Sequence, residues 1–147
     1  MPLVTTFSHE LVDGYLGSYR RGWQKESELM WRANLGHHEE RGCNLDALLI
    51  CLFDYNMYVV KVVSDYEVPR TKWGEALLLC NTWNKDQYGR TYLSAENFDT
   101  DDIGRLVCEE CISLEQGAHQ ELFDDFTENA INRGMLFWKW AHQEEGW

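Results

Sequence analysis

The sequence predicts an α+β domain in the order α-β-β-β-α-β-β-α, with helices packed on a five-stranded antiparallel sheet. Three observations predict it. Apolar residues recur at helical spacing in three segments. Five other segments show a two-residue period or an unbroken β-rich apolar run. The connections between consecutive strands are short, which favours antiparallel neighbours and helices segregated from the strands.

A chain of 147 residues is the size of one ordinary domain, and residues 1–147 are read as a single unit without linker, repeat or low-complexity tract. With 44% hydrophobic residues, 14% aromatic residues and seven Trp, it has the material for a core and lacks the signature of disorder.

Residues Thr6 to Arg21 form the first predicted helix: Leu11, Val12, Tyr15, Leu16 and Tyr19 share one face, and Gly22 follows as a stop. From Glu28 the period changes to two, with Leu29, Trp31, Ala33 and Leu35 alternating with polar or flexible neighbours. GHHEERGCN reads as a loop. LDALLICLF and MYVVKVV are apolar at almost every position and flank Asp54-Tyr55-Asn56, so they read as a central hairpin covered at least in part on both faces. Pro69 and Thr71 signal the second helix, with Thr71 as its N-cap and Trp73, Ala76, Leu77, Cys80 and Trp83 as its inward stripe. Strands are expected over Tyr88 to Glu96 and Arg105 to Leu114. The closing helix runs from about Gly117 to His142, with Leu122, Phe123, Phe126, Ala130, Phe137 and Ala141 inward.

The net charge of −12 is concentrated. Between Glu96 and Glu128 stand eleven acids and one base, Arg105, a net of −10. Such a surface repels phosphate backbones, so nucleic acid is not an expected partner; acids of this kind keep a domain soluble and also suit a basic partner segment. The most apolar stretch, Leu45 to Val63, carries Asp46, Asp54, Asn56 and Lys61, too many polar groups for a membrane span. The opening MPLVTTFSHELV lacks the pattern of a secretory signal. Five cysteines (Cys43, Cys51, Cys80, Cys108 and Cys111), an odd number, then fit free, mostly buried thiols in a cytoplasmic, reducing setting.

No motif with recognised catalytic spacing is present, and no cofactor or metal is expected. Cys108-Glu-Glu-Cys111 is a CxxC, but it falls in a predicted strand where residues three apart point to opposite faces. Asp99 to Glu110 places acids at the first, third and twelfth positions of a calcium loop and Gly104 at the sixth. Ile103 offers no ligand at the fifth, and both flanks read as strand, so a solvated hairpin is the expected structure. His37-His38-Glu39-Glu40 has ligand chemistry on a loop whose neighbours fan apart. Asn81, Trp83 and Asn84 stand near the end of the second helix. Asn84 is expected to terminate it, Asn81 to reach unpaired carbonyls of the last turn, and Trp83 to insert its ring under the strands. The three form a structural joint, because paired amides are poor acids and bases.

At these residues ALLLCNTWNKDQYGRTYL resembles the YbjN family of bacterial proteins, whose motif has an asparagine-x-tryptophan-asparagine helix ending before a strand. CISLEQGAHQELFDDFTENAINRGMLFW is similar to that family's final strand, glycine-marked turn and closing helix, and the similarity in pattern spans about Glu28 to Trp140. One departure is QYGR, where the family often has proline. The resemblance implies the fold of type III secretion chaperones, commonly homodimeric, and a regulatory label without defined biochemistry. It supplies no catalytic residues.

The function expected is therefore a non-enzymatic module that binds a protein or peptide, chaperone-like or regulatory, working as a homodimer. Leu78, outside the helix stripe, and Tyr58, Val60 and Val62, one of two apolar sets on their strand, are the expected partner or dimer face. Two alternatives stand beside it: a small enzyme with a polar cleft around Asn81 and Asn84, and a calcium-responsive regulator using Asp99, Asp101 and Glu110.

Overall fold

The structure, a computed structural model, describes residues 3–87 and 90–147. In chain order the elements are β1 (Val4–Thr5), α1 (His9–Ser18), β2 (Gln24–Ser27), β3 (Met30–His38), β4 (Cys43–Leu52), β5 (Met57–Ser64) and β6 (Val68–Pro69). Then follow α2 (Trp73–Gln87), β7 (Arg90–Ser94), β8 (Ile103–Ser113), β9 (Ala118–His119) and α3 (Gln120–Gln143). The chain is α+β, with an antiparallel sheet of seven strands where five were expected. The two added strands leave no signal in the sequence: β2 is QKES, fully exposed, and β6 is two residues ending in Pro69. The remaining pair, β1 and β9, forms a separate two-stranded ribbon. Tyr88 and Gly89, at the start of the expected fourth strand and inside QYGR, lie outside the described residues.

The central hairpin has β4 and β5 in register from Leu45↔Ser64 to Leu52↔Met57. Between them Phe53–Tyr55 makes a 3-10 turn, and Asn56 closes it in the left-handed region at φ 53°, which asparagine tolerates well. β3 lies outside β4, with β2 beyond it; β8 lies outside β5, with β7 at the far edge. β6 continues the line of β5 along β8, through Val68↔Gly104.

Alternation along these strands separates two faces. Cys43, Leu45, Ala47, Leu49 and Cys51 of β4 point to the same side as Tyr58, Val60 and Val62 of β5 and Leu106 and Cys108 of β8. All three helices contribute to the apolar clusters on that side: Leu11, Val12 and Tyr15 from α1, Ala76, Leu79, Cys80 and Trp83 from α2, and Phe123, Ile131, Phe137 and Trp138 from α3. This corrects the expected partner face. Tyr58, Val60 and Val62 are 0%, 1% and 1% exposed, sealed under α3. A two-residue period shows that a strand has two faces, but both sets on β5 are apolar, so it does not say which one carries the helix.

The same ambiguity explains α2. Leu79, not Leu77, joins its inward stripe, and Leu77 and Leu78 are exposed. Three consecutive leucines fit the 3.6-residue period in more than one rotation. Thr71 does not cap the helix; it lies within a 3-10 turn, Arg70–Lys72, that leads into it. In α3, Leu122 is exposed, while Thr127 and Gly134 are buried. Thr127 donates its hydroxyl to the Phe123 carbonyl at 2.8 Å, so the 2.6 Å contact with Tyr58 must be a bond that the tyrosine donates.

Candidate functional site: the open sheet face

Asn84 stays within α2, which runs to Gln87, so it does not terminate the helix. Its side chain instead treats β7 as a strand partner would. The amide nitrogen donates to the Thr91 carbonyl at 2.9 Å, and the amide oxygen accepts the Thr91 N–H at 2.8 Å. Two backbone groups on the sheet's outer edge are thereby satisfied, and the edge is closed at that residue. Trp83 packs against Phe137 and Trp140 of α3, with ring centroids 5.5 and 5.3 Å apart. Asn81 is exposed and does not share in these contacts. The space between Trp83, Thr91, Cys108 and Gly134 is a cavity of about 10 Å³, too small for a substrate. Asn84→Ala is expected to lower stability by about 1–2 kcal/mol, since two backbone groups lose their partners. Asn81→Ala should fall within about 0.5 kcal/mol of the parent. Urea unfolding of the two variants checks both values.

The other candidates disperse. Residues 103–110 are strand, and Asp101 spends a carboxylate oxygen on the Asn97 N–H at 2.9 Å. Arg70 holds the same loop through the carbonyls of Phe98 and Asp101, each at 2.8 Å. Glu110 pairs with Arg133 of α3. Cys108 is buried against the helices, whereas Cys111 is exposed on the opposite face. His37 and His38 are exposed neighbours at the end of β3. Among the described residues, no three or more His, Cys, Asp or Glu side chains converge as a metal site would require.

The buried thiols and tyrosines are held neutral. Burial pushes the Cys43, Cys51 and Cys108 thiols up to about 12 and Cys80 to about 11. Burial also raises Tyr15, helped by Glu128, to which it donates a 2.6 Å hydrogen bond. Raised thiols are poor nucleophiles, and none of them has a histidine hydrogen-bonded to it that could take its proton.

What remains is the sheet face that the helices leave alone. Its rows follow from the register. Arg32, Leu48, Lys61, Glu109 and Arg90 lie side by side across β3, β4, β5, β8 and β7. On one side of that row come Asp46, Val63, Val107 and Tyr92; on the other, Met30, Ile50, Val59 and Cys111, then Leu52, Met57 and Ser113. The charges are paired within the face. Arg32 bonds Asp46 at 2.7 Å, while Glu109 meets Lys61 at 3.4 Å and Arg90 at 3.3 Å. Leu48 and Val107 are buried, yet they belong to neither helix-side cluster. At the end near Ser94 and Arg105 the face deepens into a cavity of about 650 Å³. Both of its arginines are already paired, Arg32 with Asp46 and Arg105 with Glu67 at 3.6 Å, so an anionic ligand there would share them with a carboxylate. Sequence reasoning missed this face because Lys61 and Glu109 lie far apart in the chain. The apolar character of Met57, Val59 and Val63 was its one visible signal.

No protein-family model matches the sequence, and no curated protein does. Among solved structures, the chain is similar to YbjN from E. coli, described as a candidate transcription regulator, with a TM-score of 0.75 and 14% sequence identity. The match covers 97% of each chain. No helix among the described residues is long and apolar enough to cross a membrane. The helix-backed antiparallel sheet described above is thus a YbjN-like fold.

Proposed function

We propose that this protein is a non-enzymatic binding module, chaperone-like or regulatory, which acts as a homodimer and recognises a protein or peptide. The observation that carries the reading is the open sheet face, where Ile50, Leu52, Met57 and Val59 lie half-buried with no helix above them. An apolar area of this kind on a sheet that three helices back on one side only is suited to a macromolecular partner. Its two methionines, Met30 and Met57, can repack around different apolar side chains. Leu77 and Leu78 add a second exposed apolar site on α2.

A small enzyme around Asn81 and Asn84 has less support. One amide is solvent-exposed, and the other is consumed by Thr91. A calcium response through the 99–110 segment would have to break the Glu110–Arg133 pair and the Asp101 turn. The charge of −12 argues for regulation through protein contacts rather than through direct contact with a nucleic-acid backbone. Sedimentation equilibrium at micromolar concentration is expected to give twice the monomer mass. A strictly monomeric species would overturn the dimeric part of this reading.

A further inference from the structure

We propose that two copies of this chain pack open face on open face, about a two-fold axis that lies between the sheets, parallel to the strands and above the β4–β5 seam. The inference rests on the homodimer reading and assigns its interface.

The argument begins with sheet order. Across the sheet run β2, β3, β4, then β5, β8 and β7, so the β4–β5 seam is the middle. Rotation about an axis along this seam keeps every residue in its row and lays β5 over the partner's β4, and β8 over its β3. All strands are then overlapped, in the aligned manner of stacked sheets, where twist leaves a modest angle between strand directions. An isologous contact must complement itself, so each row can be checked in turn.

The rows agree. Val59 meets Ile50 of the second copy, Met57 meets Leu52, and Cys111 meets Met30, so one end of the contact is apolar apart from Ser113 at its margin. In the charged row Lys61 lays its methylene stem over Leu48, a usual arrangement for a long cationic side chain at an apolar surface. Glu109 meets Arg32 of the second copy, opposite in sign, at the edge of the apolar area, and extends across the contact the pairs that each already makes within its own copy. Apolar groups at the centre and paired charges toward the rim are the anatomy of a stable interface. Other axes serve less well. One directly above β5 sets Lys61 against Lys61, and one above β8 sets Glu109 against Glu109 and Lys61 against Arg90. One above the β5–β8 seam leaves β2 and β3 overhanging. The acids of the 96–128 segment do not oppose this contact, because of that segment only Glu109 carries an acid onto the central rows of the face.

The experiment uses two charge variants, Arg32→Glu and Glu109→Arg. Each alone puts like charges face to face and is expected to weaken self-association by roughly a hundred-fold. Mixed together they restore opposite signs at both contacts, so the mixture should recover a dimer containing one copy of each. Mixing repairs nothing inside a monomer, so recovery is specific to the interface. Near-ultraviolet circular dichroism checks that each variant is folded. If either is not, thiol titration of the parent chain decides. Cys111 is exposed in the single copy and the other four cysteines are buried, so its reaction with a disulfide reagent should be fast in dilute solution and slow once dimers form. Variants that dimerise like the parent, a mixture that stays monomeric, or a Cys111 equally reactive in monomer and dimer would each overturn the assigned face while leaving the homodimer standing. A parent chain monomeric at every concentration would remove both.

Discussion

Between about pH 9 and pH 11 the protein is expected to lose its tertiary structure in a steep, cooperative transition, driven by four buried thiols. Cys43, Cys51 and Cys108 are pushed up to about 12 and Cys80 to about 11, against 9.0 for a thiol in water. Burial is the main cause at each, because a thiolate has no solvation in the core. A group whose acidity is weakened by folding holds its proton longer in the native chain than in the unfolded one. Below about pH 9 both states are protonated and stability is complete; above it the unfolded chain releases protons that the native chain keeps, and stability falls. Each thiol contributes a slope of up to about 1.4 kcal/mol per pH unit. Four together reach about 5 kcal/mol per unit, against a typical total stability of about 5–15 kcal/mol. Burial also raises Tyr15 and Tyr58, so both act in the same direction at still higher pH. Near-ultraviolet circular dichroism, with seven Trp to report on packing, follows the loss directly. A spectrum unchanged at about pH 12 would show that water reaches these thiols.

Those cysteines also show what a sequence carries and what it omits. Their burial was legible, since free cysteine behaves as a small hydrophobe and no pairing was evident. The main α-β-β-β-α-β-β-α order was legible as well, because each of those elements has its own apolar period. β2 and β6 were not, since one has no apolar residue and the other is two residues long. Rotation was the larger gap. MYVVKVV is apolar on both of its faces, and LLL fits several rotations of α2, so local pattern could not show which side meets the sheet or the helices. Such choices are made by distant residues. Gly134 of α3 lets the helix close onto Val62 of β5, and the register of β8 against β5 brings Glu109 beside Lys61. The amides of α2 were visible as a cluster, but the partner of Asn84 is Thr91, two backbone groups that composition cannot reveal.

Gly134→Leu is expected to destabilise the protein by about 3 kcal/mol or more, the upper end of the cost of overfilling a packed interior. For a chain of this length that is a fall in Tm of about 6–12 °C. On helix propensity alone the opposite holds, since glycine inside a helix costs about 1 kcal/mol relative to alanine. Contact decides the sign. A Cβ placed on residue 134 would stand 2.5 Å from both Cβ and Cγ2 of Val62, and a β-branched side chain in a central strand cannot swing away. Even Gly134→Ala should therefore lose stability, although less than the leucine variant. The rescue is specific. Val62→Gly alone opens a void, yet combined with Gly134→Ala it removes the obstructing Cβ together with both methyls and lets the new methyl fill the space. The double variant should accordingly lose less stability than the two single effects add up to, by about 1 kcal/mol or more, a coupling that only neighbours show. Thermal unfolding of the three variants measures it. If the two substitutions are simply additive, α3 does not press on Val62. The face carrying Tyr58, Val60 and Val62 would then be the free one, and Met57, Val59 and Val63 the covered one, an exchange that would move the proposed binding surface to the other side of the sheet.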